Sequence, residues 1–111
     1  SLEEADILAE KKHWNAVVNR LYYACFYSVI ALLINNDIST QSHDGVRIQF
    51  GLHFIKTEII DRKYGRFLSK LFDYRQKGDY GDMFDFNEIT TLPLIVETKE
   101  FILEIKKHID S

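Results

Sequence analysis

Apolar positions recur at helical spacing along almost the whole chain. Leu2, Ala5, Leu8 and Ala9 fall three or four residues apart and predict a short first helix running to about Lys11. From His13 to Asn35 the pattern predicts the longest helix. Over Leu21 to Ile34 that helix is apolar nearly all round, which requires cover on more than one side. In a chain this small one cover is a second copy, so a homodimer is expected. The stretch Asn35 to Ser42 is rich in side chains that compete for backbone hydrogen bonds, and the chain should turn there. Val46 to Ile60 reads as a third helix with Val46, Phe50, His53, Phe54 and Ile55 facing inward. Asp61 is placed as the N-cap of a fourth helix, Arg62 to about Gln76, with Tyr64, Phe67, Leu68, Leu71 and Phe72 as its core stripe. Gly78 and Gly81 are expected to end it in a loop carrying Asp79, Tyr80 and Asp82. The last helix should begin near Asn87, bend at Pro93 and continue through Ile95, Phe101, Ile102, Ile105 and Ile109. No segment alternates with the period of a strand, and nothing repeats. The expected fold class is all-α, one domain over residues 1–111. Short connections favour an up-and-down antiparallel bundle of four to five helices.

Composition then narrows the function classes. The 111 residues are 46% hydrophobic and 14% aromatic, enough for one core, and the net charge is −3 with a pI near 5.8. A protein that grips long stretches of phosphate backbone carries a basic excess this chain lacks, so any nucleic-acid contact should be local or built from a few converging arginines. The single cysteine, Cys25, lies in an apolar helical run and reads as a small hydrophobe in a reducing cytoplasm. Ser1 to Glu10 is acidic and amphipathic, unlike a signal peptide, although without an initiator methionine a trimmed leader stays open. Leu21 to Ile34 is shorter than the roughly 20 residues that cross a bilayer, so no membrane partner is expected.

His13, His43, His53 and His108 show no metal-ligand spacing, and there is no glycine-rich phosphate loop or nucleophile elbow; no metal and no cofactor is expected. Two arginines stand out by position. Arg75 lies on the face of the fourth helix's core stripe, and Arg20 opens the apolar stretch one turn before the small Ala24. A guanidinium in such a place needs acceptors. Either both arginines pair with Asp73, Asp79 or helix carbonyls and fix packing, or Arg75 and the Gly78 to Asp82 loop form an anion pocket. His43, in Ser42-His43-Asp44-Gly45, stands where the third helix should begin. It could bind an anion beside free backbone N–H groups, or face solvent while Ser42 and Asp44 cap. Tyr22, Tyr23, Phe26 and Tyr27 fit a core or dimer interface better than a base-stacking platform.

Three segments in order resemble one known family. Asn19-Arg20-Leu21-Tyr22-Tyr23-Ala24-Cys25-Phe26-Tyr27 is similar to the Arg-x-Tyr-Tyr-Ala-x-Phe-Tyr segment of HEPN proteins. Ser42 to Val46 with Phe50 to Lys56 resembles their second signature, and Leu71 to Tyr80 resembles the third, an arginine followed by an Asp-Tyr pair. The resemblance implies a helical bundle, often homodimeric, in bacteria and archaea. Many HEPN proteins are encoded beside a minimal nucleotidyltransferase, with which they behave as toxin and antitoxin. In the ribonuclease members an arginine is followed after four to six residues by a histidine, and two subunits bring these pairs into one cleft. Carried over, the arginine is Arg75 and the histidine's place is held by Tyr80. An ordinary tyrosine titrates near about 10 and makes a poor general base. Arg47 and His53 match the spacing literally but would lie about 120° apart on an uninterrupted helix, and we read them as a decoy.

The first expectation is a nucleotide- or RNA-associated HEPN subunit with a nucleotidyltransferase-like partner, its phosphate pocket formed by Arg75, Asp79 and Tyr80 with Arg20 nearby. The second is a metal-independent ribonuclease toxin in which Arg75 steadies the transition state and Tyr80 or His43 moves the proton. A third is a purely structural helical interaction domain. With Tyr80 in the histidine's place, little or no independent enzymatic activity is expected, the alternative being a degenerate ribonuclease.

Overall fold

Helix α2, Trp14–Asn35, is the element around which the others collect, and its composition explains why. Nine of its side chains, among them Val17, Leu21, Tyr22, Cys25, Val29 and Leu32, are buried and spread over about half of its circumference. In the computed structural model, which describes residues 2–80 and 86–109 (for 78–80 the backbone only), α1 (Leu2–Glu10), α4 (Arg62–Tyr80) and α5 (Glu88–Lys106) all pack on α2. Between α2 and α4 lie the short α3 (His43–Phe50) and a five-residue π turn, Gly51–Ile55. Among the described residues there are no strands, and the fold is an all-α bundle. Most of α2's apolar circumference is thus covered within the one chain. Its solvent-facing remainder is the stripe Tyr27, Ala31 and Ile34. By length and composition α2 could also cross a membrane, yet half of its apolar window is buried inside the protein.

Local chemistry sets the helix ends. Ser42 caps α3, its Oγ accepting the Gly45 N–H at 2.9 Å, and Asp61 accepts the Lys63 N–H at 2.9 Å at the start of α4. Asn87 and Thr90 form a reciprocal capping box on α5, each side chain accepting the other's backbone N–H, at 3.0 and 3.2 Å. Helix α5 then passes through Pro93 and ends at Lys106.

Three expectations are corrected. The segment expected as one helix over Val46 to Ile60 begins earlier, at His43, turns π at Gly51 and ends at Ile55. With that change of register His53 faces solvent, bonded to Gln49 at 3.0 Å, instead of facing inward. Helix α4 does not stop at Gly78; it continues to Tyr80. A helical glycine costs only about 1 kcal/mol relative to alanine, which a packed, already nucleated helix absorbs. Gly81 and Asp82, the rest of the expected loop, lie outside the described residues.

Candidate functional site

Tyr22, Tyr23 and Phe26 occupy adjacent turns on one side of α2. His43 and Arg47, four apart, share a face of α3, while Phe72 and Arg75, three apart, share a face of α4. These faces of the three helices meet. The Arg47 Cζ sits 3.9 Å from the centre of the Phe72 ring. The Arg75 Cζ lies 5.0 Å from the Tyr23 ring and 5.5 Å from Tyr22. His43 stacks on Phe26 with centroids 4.3 Å apart and meets Tyr23 edge-on at 6.2 Å. Tyr22 ties the cluster to α4 through Phe72 at 5.7 Å.

Electrostatically the cluster is two guanidiniums set against aromatic faces. Each such contact contributes about 0.5–2 kcal/mol, more as water is excluded, and it engages the flat of the guanidinium, not the N–H edge that donates hydrogen bonds. Arg47 also approaches Asp44, 3.9 Å away and mostly exposed, too loose to satisfy it. At the centre the Tyr22 side chain is fully buried, and its hydroxyl has no hydrogen-bond partner among the described residues. Burial pushes the Tyr22 phenol up from its usual range, opposed by the nearby charges of Arg47 and Arg75. A half-buried, forked donor over an aromatic floor is suited to a phosphate or carboxylate. Among the described residues no three histidine, cysteine, aspartate or glutamate side chains gather as a metal site would need.

The other expected site residues fall elsewhere. Arg20 is tied to α1: its Nε donates to Glu4 at 3.1 Å and its Nη1 to Asn19 at 2.7 Å, in place of the Asp73, Asp79 or carbonyl partners considered for it. The side chains of Asp79 and Tyr80 lie outside the described residues. Arg47 and His53, the literal spacing match, take separate partners, Phe72 and Gln49. Arg47 nevertheless belongs to the cluster, which sequence reasoning missed. The available signal was its place one turn after His43 on the same helix face.

The HEPN domain family model matches residues 1–109. A Thermotoga maritima protein named "UPF0332 protein" is 35% identical over 98% of this chain and 83% of its own length. Two Methanocaldococcus jannaschii proteins are similar over nearly the whole chain. "Putative toxin MJ0605" is 34% identical over 99% of this chain and 76% of itself, and "Putative toxin MJ0142" is 31% identical over 100% and 76%.

Proposed function

The chain belongs to the HEPN family, and from that premise we propose that it is the HEPN subunit of a toxin–antitoxin-like pair that recognises nucleotide or RNA phosphate at Arg75. The observation that carries the reading is the seating of Arg75 over Tyr22 and Tyr23, with Arg47 held the same way one ring along. Two oriented forks on one aromatic floor match the planar, doubly accepting edge of a phosphate, and the rings offer bases a face to stack on. The net charge of −3 fits a small, local contact better than a long backbone track. A cytoplasmic homodimer completes the proposal, supported by apolar side chains left in solvent on α2 (Tyr27, Ile34) and α5 (Ile89, Val96, Leu103). The partner that the pairing calls for would be nucleotidyltransferase-like.

The test compares Arg75→Ala with Lys107→Ala, both shown to be folded, in titrations with ATP and with a short single-stranded RNA. Arg75→Ala should weaken binding by more than tenfold and Lys107→Ala, exposed and paired with Glu104, by less than twofold. Equal, negligible effects would return Arg75 to packing.

One observation favours a second reading. His43 and Arg75 border the same Tyr23 ring from different helices, at 6.2 and 5.0 Å from its centre, so a histidine distant in sequence shares a neighbour with the arginine. A metal-independent ribonuclease would use Arg75 to neutralise developing charge and His43 to move the proton. RNA cleavage in chelator, lost in both His43→Ala and Arg75→Ala, would put this reading first.

A further inference from the structure

Between α3 with its π turn and α4 runs an open groove of about 960 Å³, and its lining is unlike the rest of the surface. Five cationic side chains border it, Arg47, Arg62, Arg66, Lys70 and Lys77, against two acids, Asp44 and Asp73, on a chain whose net charge is −3. On α4 the cations follow one another at intervals of four, four and seven residues, so they form a single stripe along one face. At 1.5 Å per residue the stripe from Arg62 to Lys77 is about 22 Å long. Arg75 projects from the opposite side of α4, toward α2. Lys70 reaches Glu97 at 3.7 Å, whereas Arg62 and Arg66 make no ion pair among the described residues.

The floor is mostly aliphatic. Ile48, Ile55 and Leu68 line it beside the buried ring of Phe50, and Ile48 leaves more than half of its surface in solvent. At Gly51, also in the lining, a Cβ would meet nothing within 4 Å, so the groove is open there down to the backbone. The π turn itself forms this wall, and such turns recur at functional sites.

We infer that the groove between α3 and α4 docks an acidic, amphipathic helical segment of a protein partner, its apolar side chains on the aliphatic floor and its carboxylates against the α4 stripe. Length excludes a mononucleotide as the matching ligand, since about four helical turns are needed to run along the cations. Between the two elongated polyanions, a peptide and a single-stranded RNA, the floor decides. RNA held without stacking loses its main apolar contact, and the groove offers aliphatic branches and two rings, Phe50 fully buried and Tyr74 half-buried, where stacking needs open aromatic faces. An apolar strip flanked by a predominance of one sign of charge, here five cations against two acids, is what a helix-in-groove complex uses for affinity and register. The inference stands apart from phosphate recognition at Arg75 and survives its failure.

The test uses the full chain and a fluorescein-labelled synthetic helix of about four turns, leucine at every third and fourth position and glutamate between. Control probes replace leucine by serine, replace glutamate by lysine, or are a single-stranded oligouridylate of matching length. The Glu/Leu helix should bind at micromolar concentration, and each control at least tenfold more weakly. Joint replacement Arg62→Glu with Arg66→Glu should weaken the Glu/Leu helix more than tenfold while leaving ATP binding unchanged. Gly51→Trp, which fills the groove without touching the core, should do the same; the charge reversals at exposed positions carry the test if that variant misfolds. Absence of Glu/Leu binding, or binding indifferent to the charge reversals, would overturn the inference. So would oligouridylate binding more tightly than the peptide and lost with the same arginines, which makes the groove a nucleic-acid track.

Discussion

Replacing Tyr22 by phenylalanine removes a single oxygen from the middle of the aromatic cluster, and the structure fixes what that should cost. The Tyr22 ring is fully buried and touches Tyr23 at 5.3 Å, Phe26 at 5.7 Å and Phe72 at 5.7 Å, contacts that phenylalanine keeps. The attraction to Arg75, 5.5 Å from the ring centre, also survives, because it belongs to the ring face and not to the hydroxyl. The group that disappears is a buried hydroxyl without a hydrogen-bond partner, and leaving such a group unsatisfied costs about 1–3 kcal/mol. Tyr22→Phe should therefore stabilise the protein by about 1 kcal/mol or more, raising Tm by about 4 °C for a chain of this size. Thermal and urea unfolding followed by circular dichroism measure this directly. A loss of stability of about 1 kcal/mol would mean that the hydroxyl is bonded in the folded state, and would refute the picture of an unsatisfied phenol held between Arg47 and Arg75.

Two glycines on helical backbone should respond to substitution with opposite signs. At Gly65 a Cβ would come within 3.3 Å of the Ile55 side chain, so Gly65→Val should cost about 1–3 kcal/mol in urea unfolding. At Gly51, with φ −59° and ψ −48° and open space beyond, Gly51→Ala should gain about 0.5–1 kcal/mol in the same assay. Burial pushes the Cys25 thiol up to about 12 from 9.0. Because the folded value is the higher one, the neutral thiol's contribution is whole below about pH 9 and is lost as pH rises toward 12; unfolding curves across that window should fall more steeply for the native chain than for Cys25→Ala. Where α1 ends, Lys12 holds φ at 60°, a left-handed conformation that costs a side chain about 1 kcal/mol, so Lys12→Gly should raise Tm by about 4 °C.

Periodicity made the helices legible because each buries one coherent face: Leu68, Leu71 and Phe72 announce α4 as clearly as Asn87 announces the start of α5. It failed where local preference and tertiary packing disagree. Gly78 reads as a stop, yet a helix already packed on α2 carries past it. The π turn leaves no periodic trace, since one extra residue in a turn rotates the side chains beyond it, and that rotation puts His53 in solvent. In the candidate site, Arg75 was legible from its place on an apolar face. Arg47 was not, because its partner Phe72 is twenty-five residues away on another helix. His43 lay between capping and binding on sequence grounds, and only the fold sets it against Phe26 and Tyr23. Arg20 shows the reverse: its family-like segment drew attention to a residue that Glu4 and Asn19 engage.

Phosphate recognition at Arg75, on the floor formed by Tyr22 and Tyr23, is a claim about location, and location can be measured. Backbone and side-chain NMR shifts of the isotopically labelled chain, followed as ATP and then a short single-stranded RNA are added, test it most directly. Saturable shifts are predicted at Tyr22, Tyr23, His43, Arg47, Phe72 and the Arg75 guanidinium, abolished in Arg75→Ala. Saturable shifts that bypass these residues, or that persist unchanged in Arg75→Ala, would contradict it.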